Sequence, residues 1–152
     1  MKVPFAPGSA GQANHMDWIV LESFQFEIER SIAMEQGSMA ARAGGVPRFS
    51  QIAVSKFLEE ASTALLQHLV GYDGGVVIDI HIVIASKKGT DSTLKYRLKD
   101  AQVSHYVVSS SGDRPLESLM ISYSELEMEF HPHDEGAKSV STHKFAHNLK
   151  AQ

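Results

Sequence analysis

The sequence predicts a mainly β fold, a small β-barrel of about eight strands with one flanking α-helix. Three observations carry this. Apolar and polar residues alternate in short runs, most clearly where Ile78, Ile80, Ile82 and Ile84 enclose Asp79 and His81. Turn-forming clusters such as Lys87 to Asp91 and Ser110 to Pro115 separate the runs at the short intervals of barrels and sandwiches. Only the stretch from Ser62 changes to a helical period. The length of 152 residues fits a single domain, and a chain of that size buries about 70% of the surface it exposes when unfolded. The expected division is an irregular N-terminal lead-in over 1–15 and one β-barrel domain over 16–152.

Pro4, Pro7, Gly8 and Gly11 interrupt any helix or ladder in the lead-in, so order is expected to begin near Trp18. From Phe24 the residues alternate, with Phe24, Phe26 and Ile28 on one face and Gln25, Glu27 and Glu29 on the other, as in a half-buried strand. Gly37 to Pro47 is rich in small residues without an amphipathic period and reads as a long loop, a kind that is usually functional or mobile in a compact domain. Phe49 to Phe57 returns to strand composition, with Ile52 and Val54 facing one way and Ala53 and Phe57 the other. In the helix, Leu65, Leu66, Leu69 and Val70 form one stripe. Ser62 is the expected N-cap, Glu59 and Glu60 place negative charge at the positive end of the dipole, and Gly71 ends the helix. After the isoleucine-rich strand, Thr93 to Leu98 and Ala101 to Ser109 alternate in turn. Leu119, Ile121 and Tyr123 then occupy odd positions, whereas Leu126, Met128 and Phe130 occupy even ones. This slip of phase predicts a bulge or break near Ser124 or Glu125. A last strand spans Thr142 to Leu149, with Phe145 and Leu149 on one face.

Composition narrows the function. Fourteen Lys plus Arg against eighteen Asp plus Glu give a formal charge of -4. With no long run of either sign, nucleic acid and anionic membrane are disfavoured as partners. There is no cysteine, which removes disulfides, thiolate nucleophiles and Cys-ligated zinc. The first twenty residues lack the charged-then-apolar pattern of a signal peptide, and no run of eighteen apolar residues occurs. The expectation is synthesis in the cytoplasm, no membrane insertion, and export only by a dedicated machine.

Histidine is the ligand type in surplus, and His131, His133, Asp134, His143 and His147 lie close in sequence. On an extended strand His143 and His147 stand about 13 Å apart, too far to bind one ion. His131 and His133 flank Pro132 and, with Asp134, could converge in a turn as a metal-assisted hydrolase; the competing reading is a solvated polar loop. Neither a Gly-x-Ser-x-Gly elbow nor a phosphate-binding glycine loop is present. Asp79 and His81 share a strand face, either as a dyad or as the polar side of a sheet. Met34, Met39 and the glycine-rich loop form either an adaptable contact surface or a merely disordered loop. A monomeric ligand-binding barrel is a further alternative.

The run His15 to Phe26, followed by a small-residue loop and Ile52 to Phe57, resembles the haemolysin-coregulated protein (Hcp) family, the tube proteins of type VI secretion. The similarity continues in order through the helix Ser62 to Val70, the strand after Gly75, Leu116 to Tyr123, Met128 to Asp134 and Lys144 to Asn148, covering about residues 15 to 152. Its specificity lies in this collinear series. The resemblance implies a tail-tube-like barrel that assembles as a homohexamer, whose rings stack into a hollow tube expelled by a contractile sheath. It also implies sheath, spike and baseplate proteins as partners, effector proteins carried in the lumen, no catalytic residues and no cofactor. On that footing Gln25 and Glu27 are expected to face the lumen and contact effectors, with ordinary solvated strand residues as the alternative. Gly37, Met39, Arg42, Gly44, Gly45 and Pro47 are expected to mediate ring stacking. No fused effector domain is expected after Gln152. Two departures stand out. Family members usually open with a regular strand where residues 4–14 are rich in Pro and Gly, and His147 occupies a position that often carries an aromatic.

Overall fold

The computed structural model describes residues 1–32, 45–71, 74–84, 92–132 and 141–151. Within them the order is β1 (Ser23–Gln25), β2 (Ile28–Glu29), β3 (Arg48–Phe49), β4 (Ile52–Phe57), α1 (Ala61–Gly71), β5 (Val76–Ile84), β6 (Ser92–Ser109), β7 (Leu116–Ser122), β8 (Glu125–His131) and β9 (His143–Asn148). Seven strands form one sheet in the order β1-β4-β7-β6-β8-β9, with β5 also on β6, and the sheet curls into a half-barrel. The pair β2 and β3 stands apart.

Strand β6 organises this architecture. Its first half pairs with β5 and β8, and its second half pairs with β7 from Gln102↔Ser122 to Ser109↔Leu116. Strands β7 and β8 therefore run end to end along one edge of β6. The predicted break falls between them, and β6 slips phase at the same level, since its inward residues change from Tyr96 and Leu98 to Ala101 and Val103. Two expected strands are thus one, bent at a corner. Asp100 turns that corner with a φ of 52°, a left-handed conformation uncommon for a residue with a side chain. Gly75 is required beside it, because a Cβ there would lie 2.1 Å from Asp100 Oδ1. Both halves of the sheet enclose one core that includes Ile52, Val54, Ile78, Ile80, Leu98, Leu119, Ile121 and Leu126.

Several expectations are corrected by long-range packing. Order begins well before Trp18, since Met1, Val3, Ala6 and Ile19 are buried in the main core. The Ile19 N–H donates to Met1 O at 2.7 Å, and Lys2 exchanges backbone bonds with Asp79 at 2.7 and 3.2 Å. Gly8 admits the Ile19 backbone, which would stand 2.5 Å from a Cβ. Proline and glycine prevent a regular strand here without preventing burial. The continuous strand expected from Phe24 to Glu29 is broken, because β1 pairs with β4 whereas β2 pairs with β3. Phe24 and Phe26 pack on Tyr96 at centroid distances of 4.8 and 6.0 Å, while Ile28 is exposed.

In α1, Ser62 lies inside the helix rather than capping it, and its Oγ accepts from the Glu59 N–H at 3.1 Å. The buried row is Ala61, Ser62, Leu65 and His68, spaced for one face. Leu66 and Val70 rotate out to solvent. Phe5 of the lead-in stacks on His68 at 4.4 Å. Among the described residues no helix is long and apolar enough to cross a membrane.

Candidate functional site

The outer surfaces of the two sheet halves differ in chemistry. Over β5, β6, β8 and β9 the outward residues alternate in sign from strand to strand: Asp79, then Lys95, Arg97 and Lys99, then Glu125, Glu127 and Glu129, then Lys144. Arg97 Nε donates to Asp79 Oδ1 at 2.8 Å, Lys99 reaches Glu125 at 3.0 Å and Glu127 at 2.6 Å, and Lys144 pairs with Glu129. The bond from Lys144 is the main cause holding the Glu129 carboxyl below the usual carboxylate range, and the bond to Asp79 raises the Arg97 guanidinium.

Over β1, β4, β7 and the second half of β6 the outer face is nearly free of charge. Ser23, Gln25, Ala53, Ser55, His105, Val107, Ser118 and Met120 line a shallow cavity of about 410 Å³ that no Asp, Glu, Lys or Arg borders. Gln25 links it to a neighbouring depression of about 310 Å³ shared with Glu27, Ser50 and Gln51. The structure therefore brings Gln25 and Glu27, both exposed, to one concave rim. Glu27 is fixed by its backbone, its N–H donating to Ser50 Oγ at 3.0 Å and its carbonyl accepting from the Ser50 N–H at 2.9 Å.

Gly37, Met39, Arg42 and Gly44 lie outside the described residues. Gly45 and Pro47 are described, and the end of the loop is tied to the chain after β2: the Gly45 N–H donates to Ser31 O, and its carbonyl accepts from Arg30 Nε, each at 2.8 Å.

His131 lies 3.2 Å from Glu129 Oε2 and 3.3 Å from Thr142 Oγ1, while His133 and Asp134 lie outside the described residues. Among the described residues no group of three His, Asp or Glu could hold a metal ion. His147 stacks flat on Phe49 at 4.4 Å, supplying the ring contact an aromatic would make at that position. Asp79 and His81 do not form a dyad, since Asp79 serves Arg97 and His81 Nδ1 meets His15 Nε2 at 2.9 Å. Both imidazoles pack on Trp18. Burial, reinforced by His15 and Lys95 and opposed by Asp79, pushes His81 down to about 4.

One polar cluster escaped the sequence reading. Lys56 and Glu117 face each other across β4 and β7 and are fully buried. Lys56 Nζ pairs with Glu117 Oε2 and donates to Ser62 Oγ and Phe57 O, each at 2.9 Å; the Ser62 and Tyr106 hydroxyls donate to Glu117. The signal was available, because Lys56 continues the inward row of Ile52 and Val54, and Glu117 precedes Leu119 and Ile121 on theirs.

The family model described as "Type VI secretion system effector, Hcp" matches residues 1–130. The chain belongs to the Hcp family. No curated protein matches the chain. Among solved structures it is similar to one titled "Structure of a type six secretion system protein", at a TM-score of 0.84 and 21% identity over 99% of this chain and 94% of that one. It is also similar to Hcp1 from Salmonella typhimurium, at a TM-score of 0.74 and 18% identity over 99% and 92%. A type VI secretion system effector from Yersinia pestis aligns at a TM-score of 0.70 and 15% identity over 95% of each chain. At these identities the structures show a shared Hcp fold, and the match from residue 1 places the buried lead-in within the family domain.

Proposed function

We propose that this Hcp-family chain is a structural tube subunit of a type VI secretion system, not an enzyme. Six copies close into a ring, rings stack into a hollow tube, and a contractile sheath expels the tube with effector proteins in its lumen. Sheath, spike and baseplate proteins are its partners in the apparatus, and the protein passes from the cytoplasm to the outside by that route. The observation that carries this reading is the family match over 1–130. The uncharged face from Ser23 to Met120 supports it, because a wall without fixed charge neither repels nor traps varied cargo electrostatically. Gln25 and Glu27, at the rim of that face, contact effectors, and the loop holding Gly37, Met39, Arg42, Gly44, Gly45 and Pro47 docks one ring on the next.

Light scattering coupled to size exclusion tests the assembly. A hexamer mass is expected, and a stable monomer at micromolar concentration overturns the tube reading. Shortening the loop should leave ring mass unchanged while lowering tube formation; a monomeric product would remove the loop from stacking.

A further inference from the structure

Lys56 is surrounded by two carboxyl groups, not one. Besides its partner Glu117, Glu59 Oε1 lies 3.7 Å from the same Nζ. That oxygen is buried and has no hydrogen-bond partner, whereas Glu59 Oε2 is occupied by the Ser9 N–H at 3.0 Å and the Ser9 hydroxyl at 2.5 Å. The cluster thus holds an amine, a carboxyl carbon on the directly opposite strand, and a second carboxyl with one oxygen left over, in a site closed to solvent. The Ser62 and Tyr106 hydroxyls donate to the two oxygens of Glu117, where negative charge would develop if its carbon were attacked. Fixed neighbours of this kind lower the barrier to a bond between them through proximity and orientation.

We propose that Lys56 and Glu117 condense into an amide that ties β4 covalently to β7, with Glu59 as the proton carrier. The Nζ lone pair bonds to Glu117 Cδ, and the bond from Cδ to one carboxyl oxygen breaks. Of the three ammonium protons one stays on the amide nitrogen, and two leave with that oxygen as water. Glu59 takes protons from nitrogen, hands them to the departing oxygen and ends in the state in which it began. No oxidant or other co-reactant enters. The product replaces two desolvated charges by a neutral amide, and loss of the released water from a buried site opposes the return reaction.

Intact mass spectrometry of the denatured full chain reads the outcome directly. The expected mass is lower than that of the sequence by one water, and tandem spectra should show a branched peptide joining the segments that carry Lys56 and Glu117. Lys56→Arg should restore the full mass, and so should Glu59→Gln, which keeps the Lys56–Glu117 pair but removes the carrier. A wild-type mass equal to the sequence mass overturns the proposal, whether or not any variant folds. Loss of water that persists in Lys56→Arg also overturns it, since the modification would then lie elsewhere. This measurement is independent of the tube reading, because a monomer could carry the bond and a ring could lack it.

Discussion

The two halves of the curled sheet distribute charge in opposite ways. The half built on β5, β8 and β9 has an apolar interior at Ile78, Ile80, Leu98 and Leu126 and a charged exterior of alternating Asp79, Arg97, Lys99 and Glu127. The half built on β1, β4 and β7 has an almost uncharged exterior and encloses Lys56 and Glu117. Before any amide forms, the same ion-pair chemistry therefore stands in two environments. In the exposed ladder each pair is solvated and screened by water, so that losing one partner leaves the other hydrated. In the interior, loss of one partner strands a charge that water cannot reach. The contrast makes the interior pair a determinant of stability and the exposed ladder a minor contributor to it.

The largest expected effect follows from the interior. In the Glu59→Gln background, where the Lys56–Glu117 pair stays ionic and no second carboxylate faces Lys56, Glu117→Ala should lower unfolding free energy by about 3–5 kcal/mol in urea titration, because Lys56 is left buried without a counter-charge. The pair Lys56→Met with Glu117→Leu should recover most of that loss, since apolar residues of similar volume avoid the desolvation cost. A protein carrying both Glu59→Gln and Glu117→Ala that is as stable as Glu59→Gln alone would mean that solvent reaches the cluster, and the comparison would fail.

The corner between the halves comes next. Gly75→Ala places a Cβ against Asp100, and overpacking of this kind should destabilise by about 1–3 kcal/mol. Thermal unfolding by circular dichroism checks it. An unchanged melting temperature would show that the bend at Asp100 yields easily and that the two halves are less rigidly joined than the packing indicates.

The period of two made much of this fold legible. The row Ile78, Ile80 and Ile82 and the slip near Ser124 are local patterns, and both correspond to observed elements. Asp100 was not legible as a corner, because the space it occupies is left by Gly75, some twenty-five positions earlier. Nor was the burial of Met1, Val3 and Ala6, which depends on Ile19, Asp79 and the helix rather than on neighbours in sequence. At the candidate site the alternation placed Gln25 and Glu27 on the exterior, but the shared rim with Ser50 and Gln51 arises from tertiary approach. The resemblance to the Hcp family supplied a use for that rim that residue spacing could not.

A pH effect of under about 1 kcal/mol should appear where the lead-in meets β5, small because the half-exposed ring is screened by water. His81 is held neutral, down to about 4, chiefly by burial, so the unfolded chain binds its proton more readily than the folded one. Stability from this group is therefore complete above about pH 6.5 and is lost as pH falls toward 4. Trp18, the single tryptophan, packs on His81 at 4.4 Å and reports the change by fluorescence. His81→Gln should flatten the titration between those limits; an unaltered curve would assign the acid response to other groups.

The smallest stability change is expected on the uncharged face, and it separates folding from recognition. Ser118→Arg adds one cation at an exposed position facing Ser55 and Val107 and should move unfolding free energy by no more than about 0.5 kcal/mol. Arg97→Ala on the ladder should cost about 0.2–1 kcal/mol, the range of exposed ion pairs. If the uncharged face is the wall that cargo meets, Ser118→Arg, though milder for stability, should alter effector co-purification at unchanged ring mass, and Arg97→Ala should not. Gln25→Arg, on the same face, should behave like Ser118→Arg. The reverse pattern, with effectors responding to Arg97 and indifferent to Ser118 and Gln25, would move recognition to the charged half, because these substitutions change the fixed charge of one face and not of the other.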